Sequence, residues 1–404
     1  MEVDPAAAGM DPDRLERITA HFGRYVEEGT IPGCQVTVAR GGEVAYFRSM
    51  GQRDRERGRP VTEDTIWRIY SMTKPVTSIA LMQRYELGEF LLTDPVHRYL
   101  PEWRDLKVEV ADDEGTTRLV EPDRPMSVRD ALMHMTGLPG AVVPDHPVDH
   151  RYNEAVRANA SGMTLEGAVS LLADLPLKFH PGTRFNYGLS TDICGRLVEV
   201  LSGQPFDEYL DDHVLGPLGM VDTGFSVPDA AADRLAACYL YAPGSAPTLL
   251  DDPATSSYRR RRSYLSGAGG LVSTSGDYLR FCQMLLGEGQ LDGERIIGRK
   301  TLELMACNHL PGGRDLAAFA TGGFGESGFE GVGFGLGFAV GLGPAATATV
   351  GSYGEYYWGG AASTAFWVDP VEDVTAVFMT QLVPSTLYPF RSQLRALVYQ
   401  ALVD

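Results

Sequence analysis

Lysine is scarce in this sequence: four residues in 404, Lys74, Lys107, Lys178 and Lys300. Acids outnumber bases 53 to 35, for a net charge of -18. Nucleic acid affinity comes largely from an excess of cations facing phosphate, so with this acidic balance nucleic acid is not an expected partner. The same charge is repelled by anionic lipid surfaces. No apolar run approaches the roughly 20 residues of a membrane-crossing helix, so no membrane partner is expected either. The first residues, MEVDPAAAGMDPDRLER, are acidic where a secretory signal would be basic and then apolar, and no such signal is expected there. Cysteines number five (Cys34, Cys194, Cys238, Cys282, Cys307), widely spread and without a C-x-x-C pair. They read as reduced, mostly buried small hydrophobes of a cytoplasmic protein. G-x-S-x-G is absent, which counts against an α/β-hydrolase, and so is the phosphate-cradling G-x-x-x-x-G-K-[ST].

What is present is an ordinary globular composition, 44% hydrophobic and 22% charged, in a length that suits two intertwined domains or one large one. Residues 11–28 predict a capped amphipathic helix, with Asp11-Pro12 at its start and Leu15, Ile18, Phe22 and Tyr25 at helical spacing. CQVTVAR and EVAYFRSM alternate around Gly41-Gly42, the pattern of a hairpin. Residues 73–87 predict a buried helix. From about 90 to 262 the helical windows SVRDALMHM, TLEGAVSLLADL and TDICGRLVEVLSG are separated by loops rich in Pro, Asp and Gly. After 265, GDYLRFCQMLLGEG predicts a helix, GFGLGFAVGLG, ASTAFWV and DVTAVFMTQLV predict strands, and TLYPFRSQLRALVYQALV predicts a closing helix. The expected architecture is α+β: a largely antiparallel sheet built from residues 1–90 and 265–404, with a mainly helical domain, 91–264, inserted between them.

Three places carry chemistry. Ser71-Met72-Thr73-Lys74 is an S-x-x-K sequence at the start of a predicted helix, where residues three apart share a face. A serine hydroxyl becomes a nucleophile once a neighbour takes its proton. A lysine can do so when burial and nearby positive charge make its own proton easier to lose. The helix start adds free N–H groups for a developing oxyanion. A capping serine beside a surface lysine is the plainer reading, and 21 serines and four lysines give about 0.2 such pairs by chance. It falters because Lys74 lies inside the apolar stretch YSMTKPVTSIALM, where an idle ammonium is costly. Tyr187 follows a Pro-Gly turn in FHPGTRFNYG; as a phenolate beside a lysine it could pass a proton, and as a core tyrosine it needs no such role. Trp358-Gly359-Gly360 stands before a strand, where glycines admit a close backbone to a ligand or simply make a bulge.

The ordered blocks S-x-x-K, H-M-T-G-L (134–138), PGTRFNYG, GAGGLVSTSGD (267–277) and W-G-G together resemble the serine β-lactamase and penicillin-binding protein superfamily. Within it the chain is most similar to the family VIII carboxylesterases, which themselves resemble class C β-lactamases. The likeness runs from about residue 11 to 400. It implies an antiparallel sheet with flanking helices and an inserted helical domain, with the site in the cleft between them. It implies Ser71 as the acylated nucleophile, with Lys74 and Tyr187 sharing the acid and base work. It implies an oxyanion hole made by the N–H groups of Ser71 and, counting along W-G-G-A, of Ala361. No metal or cofactor is implied.

Two departures bear on the substrate. Where class C β-lactamases carry Y-x-N, this chain reads Tyr187-Gly188-Leu189, without the amide. Where they carry K-T-G, Trp358 takes the lysine's place. Both changes weaken amide and anion recognition, so the expected substrate is a small-molecule ester with a neutral acyl group of short to medium length. Trp358, Gly359, Gly360 and Leu189 are the expected substrate-binding residues. Acyl transfer to an alcohol, β-lactam hydrolysis, D-amino-acid peptide or amide cleavage and a catalytically idle binding module are the alternatives. A homo-oligomer is compatible with the sequence, which does not specify the state.

Other features fit no site. His146 and His150 stand four apart beside Asp145 and Asp149, but Pro144 and Pro147 argue against a regular helix, so no metal site is expected. His134 and His180 are expected to serve local hydrogen bonding. Arg259–Arg262 reads as a solvated or locally paired run, with guidance of an acidic substrate as the alternative. The glycine-rich stretch 321–343 reads as a mobile loop running into a strand.

Overall fold

Asp11 accepts a hydrogen bond from the Arg14 N–H and Pro12 fills the first helical position, so helix α1 runs Pro12–Glu27. Its stripe of Leu15, Ile18 and Phe22 is buried. Strands β1 (Gly33–Arg40) and β2 (Glu43–Asp54) form an antiparallel hairpin. Gly41 and Gly42 at its tip take φ of 60° and 84°, which a two-residue turn matched to the strand twist requires. The short β3 (Arg59–Pro60) pairs with β2. Helix α2 (Thr73–Glu86) is buried at every position from Thr73 to Met82, as suits a helix running through a core. The structure is a computed structural model and describes residues 1–111, 115–140, 146–159, 162–320 and 329–403.

Helices dominate the middle of the chain. Ser127 and Asp130 make a capping box for α3 (Val128–Leu132). The prolines do not keep the next stretch from coiling. Pro147 takes the first position of α4 (Pro147–Ala158), where a missing N–H costs nothing, and His146 Nδ1 accepts from the Val148 N–H. This corrects the expectation of irregular structure around His146 and His150; Pro144 and Asp145 lie outside the described residues. Thr164 caps α5 (Leu165–Ala173), and α6 (Ser190–Ser202) ends on Gly203 in the left-handed conformation.

Thr274 caps α7 (Ser275–Leu286). Then come β4 (Val332–Phe334), β5 (Ala339–Gly341), β6 (Tyr356–Gly359), β7 (Ala365–Asp369), β8 (Val374–Thr380) and α8 (Phe390–Tyr399). The stretch expected as one strand, 333–343, is instead part of a hairpin. Gly337 bends it at φ 97°, and a Cβ there would overlap the Ser78 hydroxyl of α2. The loop expected at the start of the glycine-rich stretch falls on 321–328, outside the described residues.

Eight strands form one sheet in the order β4-β5-β6-β7-β8-β1-β2-β3, antiparallel throughout. Its strands come from residues 33–60 and 332–380. Alternation divides them between two faces. Val36, Val38 and Phe378 face α1 and α8, where Phe22 meets Phe378 at 4.9 Å between ring centres. Val377 and Met379 on the other face join a core shared with α2, α6 and α7. That shared core brings α2 beside α6, and the 3-10 turn Tyr70–Met72 that leads into α2 lies against β6; the candidate site lies at this junction. Among the described residues no helix is long and apolar enough to cross a membrane.

Candidate active site

Ser71 sits in a 3-10 turn, Tyr70–Met72, that leads into α2. Tyr70 has a positive φ of 43°, a strained backbone for a residue with a side chain and common where a fold must aim a group. The turn is held by the segment that contains GAGGL. Trp67–Arg68 pairs with Val272–Ser273, the Ile69 N–H donates to the Leu271 carbonyl, and the Leu271 N–H donates to Thr73 Oγ1. Pro75 is the third residue of α2, among the first-turn N–H groups that have no partner in the helix, so its missing donor breaks nothing.

Lys74 is 4% exposed. Its ammonium donates to Ser71 Oγ at 3.1 Å and to the Ala268 carbonyl at 2.7 Å, and stands 4.4 Å from the centre of the Tyr187 ring. Tyr187 lies between two rings, His134 at 4.8 Å and Trp358 at 5.2 Å between centres. The Trp358 indole N–H donates to the Tyr187 hydroxyl oxygen at 3.2 Å. Ser71 and Lys74, one turn apart, thus form one cluster with Tyr187, which lies far along the chain from both.

The H-M-T-G-L block is what holds Tyr187. Gly140 bridges to Gly188, Asn186 Nδ2 donates to the Leu138 carbonyl, and Thr136 Oγ1 meets Ser190 Oγ at 2.8 Å. Gly137 has φ 85°, and a Cβ there would overlap the Phe179 carbonyl. His134 Nδ1 accepts from the Gly188 N–H. Burial, reinforced by the Lys74 charge, holds His134 well below its usual pKa, so the ring is neutral near pH 7. His180 has a similarly local part, its Nδ1 accepting from the Asp123 N–H.

Trp358 and Gly359 end β6, a strand the sequence pattern does not reveal, and Gly360 and Ala361 lie in the turn beyond it. A Cβ at Gly360 would overlap the Ile69 carbonyl, two residues before Ser71. Glycine therefore lets this strand end approach the nucleophile turn. Among the described residues the Ala361 N–H has no hydrogen-bond partner, and Ala361 is exposed. Ser71, Tyr187, Trp358, Gly359, Gly360 and Ala361 all line one cavity of about 700 Å³, continued by apolar side chains such as Leu316, Phe329 and Val332. Leu189 is not among the residues lining it. It stands just before α6, half-buried against the main core. A second cavity of about 470 Å³, lined by Asp207, Asp222 and Phe225 among others, contains none of the cluster.

Two contacts escape sequence reading: the Ala268 carbonyl on Lys74 and the indole N–H on Tyr187. The first joins residues 194 apart and the second residues 171 apart. The arginine run is paired locally, Arg259 with Asp229 and Arg261 with Asp207, while Arg262 lies over the Tyr258 ring. It does not line the 700 Å³ cavity.

An eight-stranded antiparallel sheet between terminal helices and a helical segment, with this cluster at their junction, is the β-lactamase and penicillin-binding-protein-like fold. The Beta-lactamase family model matches residues 18–400, and the chain belongs to that family. Protein Rv1367c of Mycobacterium tuberculosis is 33% identical over 375 residues, covering 92% of this chain and 90% of that one. Esterase EstB of Burkholderia gladioli is 29% identical over 396 residues, covering 94% and 93%. Among solved structures, EstCE1, described as a hydrolase with promiscuous acyltransferase activity, superposes with a TM-score of 0.78 at 28% identity, covering 96% of this chain and 99% of its own. These matches bear out the resemblance read from the sequence blocks.

Proposed function

We propose that this protein is a carboxylesterase of the family VIII type that works through an acyl-enzyme on Ser71. The observation that carries the reading is the position of Lys74 Nζ, 3.1 Å from Ser71 Oγ and 4.4 Å from the Tyr187 ring centre, behind a cavity of about 700 Å³. Ser71 Oγ attacks the ester carbonyl, and its one proton passes to Lys74 in its neutral amine form, which in turn replaces the proton that Tyr187 gives up. The N–H groups of Ser71 and Ala361 receive the oxyanion. Tyr187, its oxygen held by the Trp358 indole, returns a proton to the leaving alcohol, and water then cleaves the acyl-serine. Esterase EstB and EstCE1 lend support by their similarity. The apolar walls and the Trp358 ring suit neutral acyl groups of short to medium length.

The same proposal takes residues 91–264 as an inserted domain between the two parts of the α/β domain. It also takes the setting as cytoplasmic, since all five cysteines are free and four are buried. Mass spectrometry after treatment with a fluorophosphonate probe tests the reading. One adduct, on Ser71, is expected; an adduct elsewhere, or none, contradicts it.

A second reading, acyl transfer to an alcohol, has support in the acyltransferase activity named for EstCE1. The same acyl-serine would serve, with an alcohol in place of water. Adding a primary alcohol to the ester assay and counting the new ester against the free acid separates the two.

A further inference from the structure

Behind Lys74 lies a carboxylate that the reaction above does not use. Asp192, in the first turn of α6, is fully buried. Its Oδ2 accepts from the Tyr264 hydroxyl at 2.6 Å, and its Oδ1 accepts from the Ser266 hydroxyl at 2.9 Å and the Ala268 N–H at 3.0 Å. All three donors belong to one segment, 264–268, and that segment supplies the carbonyl that holds Lys74 Nζ at 2.7 Å. A carboxylate on one helix thus fixes the peptide that grips the lysine on another. Burial pushes the Asp192 carboxyl above its usual range, while the three hydrogen bonds and the Lys74 charge pull it back toward the ionised form. A buried carboxylate is retained at such cost only where a counter-charge and donors compensate it, and here both are in place.

We propose that Asp192 is the positioning residue of Lys74. It locks segment 264–268 so that the Ala268 carbonyl aims Lys74 at Ser71 Oγ. The inference rests on the esterase reading. Lys74 exchanges a proton with Ser71 only while its Nζ stays within hydrogen-bond reach of Oγ, so a segment 264–268 cut loose from Asp192 slows turnover without changing what the cavity binds.

The test is p-nitrophenyl butyrate hydrolysis by the wild type, Asp192→Ala and Asp192→Asn, with kcat and KM read separately. Asp192→Ala removes the anchor and is expected to lower kcat by about 10²-fold with KM within about twofold of wild type. Asparagine keeps an acceptor for the Ala268 N–H and offers an N–H to Tyr264, whose hydroxyl can reverse, so Asp192→Asn is expected to recover most of that loss. A wild-type kcat in folded Asp192→Ala overturns the proposal, because a purely structural role lowers the melting temperature and leaves kcat in place. If Asp192→Ala does not fold, Tyr264→Phe removes one donor from the anchor. It is expected to lower kcat severalfold with KM little changed, and an unchanged kcat there overturns the proposal too. Failure of the esterase reading looks different: the wild type itself then neither turns over the ester nor takes the fluorophosphonate on Ser71, and the inference falls with it.

Discussion

Trp358 donates its one polar hydrogen to the oxygen of Tyr187, at 3.2 Å, inside a wall that leaves the indole 7% exposed. The residue stands where the resembling β-lactamases carry the lysine of K-T-G. An indole in that position brings no charge to the cavity and supplies a donor to the tyrosine. The ring packs against Tyr187 and Phe334 and lines the cavity, while its N–H serves the chemistry.

Trp358→Phe keeps most of the ring and deletes the donor. A hydrogen bond to a group that carries charge during reaction contributes about 1.5–3 kcal/mol, so kcat on p-nitrophenyl butyrate is expected to fall about tenfold or more with KM little changed. A raised KM with unchanged kcat would mean that Trp358 serves binding alone.

Gly360→Ala places a methyl group on the Ile69 carbonyl and on Thr364 Oγ1. The strand end and the nucleophile turn must then separate. The expected cost is about 1–3 kcal/mol of stability and a loss of kcat well beyond tenfold. Gly23→Ala in α1 is the control. A Cβ there meets nothing within 4 Å, and the exchange should stabilise the helix by about 1 kcal/mol without touching activity. Denaturant melts and ester kinetics on both variants check this.

His134 supplies a pH dependence of stability with a definite sign. Its folded pKa lies below the usual histidine value, so between the two the unfolded chain binds the extra proton. The stability it contributes is present above pH of about 6.5 and is lost as pH falls toward the folded pKa. His134→Asn suits the local backbone, whose φ is 56°, and keeps an acceptor for the Gly188 N–H. The stability difference between wild type and His134→Asn is expected to shift in the variant's favour from pH 7.5 to pH 5. A difference that is flat across this range contradicts the assignment.

Much of this site can be read along the chain because its signals are local. Ser71 and Lys74 sit one turn apart, and the apolar residues flanking Lys74 in the sequence already mark it as buried. The helix start at Asp11-Pro12 is equally legible from its cap. Other elements are hidden for physical reasons. β6 is a short stretch of two tyrosines and a tryptophan followed by glycines, without alternation between apolar and polar. The hairpin of β4 and β5 reads as one strand because nothing in the pattern shows Gly337 turning against Ser78. Pro147 looks like a helix breaker and is a helix starter. Leu189, chosen from its place in Y-x-N, sits on the core side of α6's first turn, away from the cavity lining. Asp192 cannot be chosen from sequence, because its partners lie more than 70 residues away.

The account stands on Ser71 as the nucleophile of an esterase. Hydrolysis of p-nitrophenyl butyrate by the wild type and by Ser71→Ala, with a chromogenic cephalosporin in parallel, tests that most directly. The predicted result is ester turnover that falls by a factor on the order of 10⁴ or more in Ser71→Ala, with little cephalosporin cleavage by either protein. Ester turnover that survives Ser71→Ala at the wild-type rate would contradict it.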